Sequence, residues 1–105
     1  MHIRGYMSKS NLVYPRNPSA VRVRISDPYI APEIRDLVTS QDILAALFDH
    51  EIGKWGDMDN LTLHANELAL RKRGWVVSRH KTKLGDEFFI TTDTQSCKTE
   101  IRRLV

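Results

Sequence analysis

The residues best equipped for chemistry in this chain lie together near its C-terminal third: Arg79, His80 and Lys81, followed beyond a glycine-containing turn by Glu87. A carboxylate, an imidazole and a cation are the groups that cleave RNA by acid–base catalysis. The carboxylate takes the 2′-hydroxyl proton, the imidazole protonates the leaving oxygen and the cation holds the phosphate. Whether His80 and Glu87 can cooperate depends on the register of the hairpin carrying them. A three-residue turn, Lys83-Leu84-Gly85, pairs Thr82 with Asp86 and Lys81 with Glu87, leaving His80 opposite Phe88 on the other face. A two-residue turn, Leu84-Gly85, sets His80 diagonal to Glu87 on one face, because a slip of one residue inverts the faces. Gly85 at the third position suits the three-residue bulge turn. The expected arrangement is therefore a Lys81–Glu87 cross-strand ion pair, with a His80/Glu87 catalytic pair as the alternative.

Other chemistries find less support. His2, His50, His64 and His80 form no H-x-x-x-H, and Cys97 is the single cysteine. His64 and Glu67 can share a helix face, but two ligands make a poor site, so neither a metal nor a cofactor is expected. Gly53-Lys54-Trp55-Gly56-Asp57 superficially resembles a phosphate loop, yet it lacks the G-x-x-x-x-G-K-[ST] pattern and no strand precedes it. It reads as a link between helices with Trp55 plugging both. There is no G-x-S-x-G elbow, and Cys97 sits in a polar turn without an activating signature.

The elements that must position these residues are those of one α+β domain. The chain has 105 residues, 41% of them hydrophobic, the range of a single globular unit. Residues 1–19 read as an arm, broken by Pro15 and Pro18, and residues 20–105 as the globular part. Val21, Val23 and Ile25 alternate with Arg22, Arg24 and Ser26, predicting a half-buried strand over 21–25 that Asp27-Pro28 ends. Pro32 opens a short helical turn. Thr39 or Ser40 caps a helix carrying Ile43, Leu44, Leu47, Phe48 and Ile52 at helical spacing, ended by Gly53. Asp57 or Asp59 caps a second helix over about 58–73, with Leu61, Ala65, Leu68 and Ala69 as its buried stripe and Gly74 as its C-cap. Three strands follow, over 75–81, 87–92 and 99–105. The predicted architecture is two helices packed on a small antiparallel sheet, the C-terminal meander plus the strand over 21–25.

No apolar run approaches the ~20 residues of a membrane span, and no secretory signal is visible at the N-terminus. With a single cysteine, these features lead to the expectation of a reducing cytoplasm. The formal net charge is +3, but its distribution is uneven. Residues 1–26 carry Arg4, Lys9, Arg16, Arg22 and Arg24 and no acid, the middle of the chain is acidic, and cations dominate again from Arg71 onward. If the two basic ends share a face, Arg22, Arg24, Arg79, Arg102 and Arg103 are the candidate contacts for a macromolecule.

From His50 onward the chain reads His50-Glu51-Ile52-Gly53-Lys54-Trp55-Gly56-Asp57, then Asn66, Ala69-Leu70, Gly74, Ser78, Gly85, Phe88-Phe89-Ile90-Thr91 and Thr99. This pattern resembles a group of small bacterial proteins found on plasmids and other mobile elements, marked by an H-x-x-G-x-W-G-D motif. Some carry the label of a type I restriction methylase subunit, but this chain is too short for that and lacks a methyl-donor glycine loop. The resemblance covers a little over half of the chain. It implies a compact α+β domain in which Gly53, Trp55, Gly56, Asp57, Gly74 and Gly85 are structural, and it implies no catalytic residue. The function expected is a non-enzymatic accessory protein that binds nucleic acid or a host protein through a basic sheet face. A small RNA-cleaving enzyme or toxin is the alternative, and pairing of two copies through the edge over 21–25 a third option.

Overall fold

In the computed structural model, which describes residues 20–103, the chain forms β1 (Ser26–Ile30), α1 (Pro32–Leu37), α2 (Ser40–Glu51), α3 (Asn60–Lys72), β2 (Trp75–Lys81), β3 (Glu87–Asp93) and β4 (Lys98–Arg103). The arm over 1–19 lies outside the described residues. The strands make one sheet in the order β1-β4-β3-β2. The meander β2-β3-β4 is antiparallel, whereas β1 runs parallel to β4. The sheet is therefore mixed, not purely antiparallel. A parallel neighbour needs a long crossover, and three helices and two strands separate β1 from β4.

The strand expected over 21–25 is not one. Its alternation reports burial: Val23 is buried and Ile25 packs against the core, but the backbone joins no ladder. Arg22 N and Val23 N both donate to the carbonyl of Glu51 at the end of α2, at 2.7 and 3.0 Å. Pairing begins at Ser26, and Asp27-Pro28, expected to end a strand, lies inside β1. Asp27 adopts a φ of 48°, and the register shifts between Ser26 and Tyr29. An edge strand tolerates this bulge and a proline that cannot donate, and both blunt β1 as a template for a second copy.

The helix starts follow the sequence. The Thr39 hydroxyl accepts from Asp42 N at 3.1 Å, and the Asp59 carboxylate from Thr62 N at 2.7 Å. The short turn at Pro32 becomes a third helix, α1. At the end of α3 the left-handed residue is Arg73, with φ 62°, and not Gly74. Glycine at 74 answers a contact instead, since a Cβ there would press on the Ala69 side chain. The buried face of α3 is also rotated from the expected stripe. Asn66 and Ala69 are buried, with Leu63 and Leu70 packed beside the core, while Leu61 and Leu68 are exposed.

Two apolar clusters form the core. Ile30, Ile34, Val38, Ile43, Leu47, Phe88, Ile90 and Ile101 make one, and Val23, Trp55, Ala69 and Val76 the other. Burying these side chains supplies the main drive for folding. Polar residues stand with them on the inner sheet face: Ser78, Thr92 and Thr99 are buried, with Thr92 the cross-strand partner of both Val76 and Thr99.

Candidate functional site

The hairpin register decides the first candidate. Lys81 pairs with Glu87 and His80 with Phe88, and Thr82 N donates to Asp86 O at 2.8 Å. This is the three-residue turn, with Gly85 at a φ of 95°. Alternate residues of a strand point to opposite faces, so His80 lies on the inner face and Glu87 on the outer. Glu87 accepts from Arg79 Nη2 at 2.7 Å and lies 3.8 Å from Lys81 Nζ. His80 and Glu87 do not converge on a common substrate.

His80 belongs instead to a buried hydrogen-bonded chain. Its Nε2 lies 2.6 Å from Ser78 Oγ, which lies 2.7 Å from His50 Nδ1. His50 Nε2 lies 2.8 Å from Thr92 Oγ1, which lies 2.8 Å from Thr99 Oγ1. The Thr99 hydroxyl reaches the carbonyl of Cys97 at 3.3 Å. A carbonyl only accepts, and with both imidazoles neutral that end assigns every proton in the chain. Thr99 donates to Cys97, Thr92 to Thr99, His50 Nε2 to Thr92, Ser78 to His50 Nδ1, and His80 Nε2 to Ser78. Burial favours the neutral form of both imidazoles. Burial pushes His50 down to about 3, helped by the nearby His80, and burial pushes His80 to about 4 against the opposing pull of Asp49. Ser78 is buried with its hydroxyl held by two imidazoles, so it is no nucleophile.

The chain explains why the motif residues belong together. His50 contacts Trp55 edge-on, with ring centroids 5.7 Å apart. Trp55 is buried in the second cluster, as expected of a plug, and its carbonyl accepts from Arg79 N at 2.8 Å. Gly56, with φ 82°, lies so close to β2 that a Cβ would collide with the Arg79 carbonyl. The Asp57 carbonyl accepts from Arg79 Nη1 at 3.4 Å, and Gly53 lies under the Arg22 side chain. Asn66 uses both ends of its amide on Val77, donating to its carbonyl at 2.8 Å and accepting from its N–H at 3.0 Å. Thus α3 and the 53–57 link satisfy the outer edge of β2, which blunts it against pairing with another strand.

The five arginines named as candidate contacts on the condition of a shared face are dispersed. Arg22 makes a two-pronged ion pair with Glu67 of α3, at 2.7 and 3.0 Å. Arg24 is exposed in the segment before β1, and Arg103 ends β4 opposite Phe88, out of step with Arg102. Only Arg79 and Arg102 stand on the outer face, where they flank Phe89 as its partners on the two neighbouring strands. Trp75 and Tyr29 share that face, 55% and 48% exposed, as do Lys81 and Lys98. Arg102 Cζ lies 5.2 Å from the Tyr29 ring centroid, and its Nε donates to Glu100 at 2.8 Å. Exposed Trp75 and Tyr29 and half-buried Phe89 were not among the residues singled out from the sequence; their period-two phase with Arg79 and Arg102 was the available signal.

A cleft of about 330 Å³ opens between α2 and the hairpin, lined by Asp42, Asp49, His80, Lys81, Lys83 and Phe88 among others. His80 stacks on Phe88 at its inner end, with centroids 5.4 Å apart. Among the described residues no group of three or more metal-ligating side chains occurs, and no helix is long and apolar enough to cross a membrane.

Comparison with protein-family models, with curated protein sequences and with solved structures gave no match for this chain. The fold is an α+β domain with helices on one face of a mixed four-stranded sheet, and the sites are read from their own geometry.

Proposed function

We propose that this protein binds single-stranded nucleic acid across the outer face of its sheet, without catalysis. The observation that carries this reading is the cross-strand row Arg79–Phe89–Arg102. It sets an aromatic ring between two guanidiniums on a surface that no described helix covers. Bases stack on aromatic rings that reach solvent, as half-buried Phe89 does in part and Trp75 and Tyr29 do more fully, while cations track the phosphates. Trp75 and Tyr29 extend the stacking platform, and Lys81 and Lys98 the positive charge.

The face also carries Glu87, Glu100 and Asp93, and all three are engaged. Glu87 and Glu100 hold Arg79 and Arg102. Asp93 accepts from Gln95 N and the Ser96 hydroxyl within its own turn. Arg102 spends only Nε on Glu100, and its two terminal nitrogens have no hydrogen-bond partner among the described residues. Those nitrogens suit a phosphate, which guanidinium binds as a fork.

The test is fluorescence anisotropy with labelled single-stranded RNA and DNA over a range of salt. Saturable binding is expected, weakening with a log–log slope of about −2 to −3 if three or four phosphates are contacted. Absent binding, or binding insensitive to salt, contradicts the proposal. A protein partner would survive nuclease treatment in a pull-down, and that outcome also contradicts it.

A further inference from the structure

The cleft between α2 and the hairpin supports a second site, which shares Lys81 at its rim with the outer face. Its volume, about 330 Å³, falls at the lower end of small-ligand pockets. Asp42 and Asp49 line one wall from the same face of α2, two turns apart. Lys81 and Lys83 line it from the hairpin. Among the described residues no ion pair joins these carboxylates to those lysines; Lys81 pairs with Glu87 instead. Asp42, Asp49 and Lys83 thus border one opening without closing on each other, and a third group can bridge them.

His80 gives the inner wall a direction. With both imidazoles neutral, the hydrogen-bonded chain that ends on the Cys97 carbonyl places the His80 proton on Nε2, facing Ser78. Its Nδ1 is then a bare acceptor, with no hydrogen bond to any described residue. The chain therefore acts on the cleft by fixing a tautomer: Nδ1 and the two carboxylates all accept. A ligand completing this wall must bring N–H or O–H donors, and Lys83 calls for an anionic group on the same molecule.

We propose that the cleft binds a mononucleotide whose base carries an exocyclic amine, the amine facing Asp49 and His80 Nδ1 and the phosphate facing Lys83. Cytidine and adenosine monophosphate have this pattern. Their counterparts with a carbonyl in place of the amine would set an acceptor against acceptors, which a site built to accept rejects strongly. The proposal does not depend on the sheet face binding anything.

The test is an NMR titration of the ¹⁵N-labelled full chain, following the His80 ring nitrogens in long-range proton–nitrogen spectra. Cytidine 5′-monophosphate should shift His80 Nδ1 saturably, as expected of a bare nitrogen gaining a donor. Uridine 5′-monophosphate should bind at least about tenfold more weakly. Asp49→Asn should weaken cytidine monophosphate by about tenfold with its backbone spectrum otherwise preserved, and Lys83→Ala should weaken both nucleotides. No saturable shift at millimolar cytidine monophosphate overturns the proposal. So does equal binding of the two nucleotides, or an identical shift with inorganic phosphate alone.

Discussion

The two faces of the sheet place polar groups under opposite rules. On the inner face, Ser78, Thr92 and Thr99 are buried; His50 joins the Ser78 and Thr92 hydroxyls, and Thr99 closes on Thr92 and the Cys97 carbonyl. On the outer face, Arg79 and Arg102 are held by Glu87 and Glu100 but remain in contact with solvent. A buried unpaired polar group costs more than a made hydrogen bond contributes, so the inner residues depend on one another. The outer pairs lie in high dielectric and add little stability. The motif residues of the sequence therefore read as the framework of the inner face. The outer face is where side chains can answer to a ligand.

That contrast is most easily broken at His50. Replacing it with leucine removes both imidazole bonds and leaves the Ser78 and Thr92 hydroxyls buried without it. A loss of about 3–5 kcal/mol in unfolding free energy is expected, measured by urea denaturation. A loss below about 1 kcal/mol would mean that the hydrogen-bonded chain does not hold the core together. Asn66→Ala should come next, at about 2–3 kcal/mol, because it strips both partners from Val77 on the edge of β2. It should also promote self-association, detectable by analytical ultracentrifugation, through the uncovered strand edge.

Acid sharpens the same contrast. His50 lies at about 3 and His80 at about 4 in the folded chain, against about 6.5 when unfolded. The unfolded chain thus binds protons first as pH falls. The stabilisation is full above about pH 6.5 and is lost progressively toward the folded values. By pH 5 the loss should be about 2 kcal/mol from His50, and less from His80, whose ring reaches solvent. Denaturant midpoints at pH 7 and pH 5 check this, and in the His50→Leu variant the interval should shrink. Phe89→Ala should act in the opposite sense, costing little stability but about 1–3 kcal/mol of binding, roughly ten- to hundredfold, by loss of one stacked base. Arg102→Ala should have the smallest effect, reducing the salt slope by about one phosphate contact.

Local chemistry made much of the fold legible. Thr39 and Asp59 declare their helix starts because a capping oxygen acts within three residues. Gly85 declares the hairpin because the bulge turn needs a positive φ there. Legibility ended where partners are distant. Alternation over 21–25 reported burial correctly but could not tell that the backbone hydrogen bonds go to Glu51 and not to a strand. Asp27-Pro28 looked like a stop because local rules do not reveal that β1 is an edge. His50 lies on the buried stripe with Ile43 and Leu47, and a histidine there signals an inner partner. Its partners, Ser78 and Thr92, are named only by the tertiary fold. Whether the arginines share a face could not be read from the sequence, because clustering along a chain carries no information about faces until the strand phase is known.

The two tryptophans give the most direct test of the outer face as the binding surface. Trp75 is 55% exposed on that face and Trp55 only 6% exposed within the core, so their indole N–H signals report the two environments separately. In a titration with single-stranded RNA, the Trp75 signal should move saturably, and less at raised salt, while the Trp55 signal stays in place. A Trp75 signal that does not respond, or movement confined to Trp55, would contradict the assignment of nucleic-acid binding to the outer face.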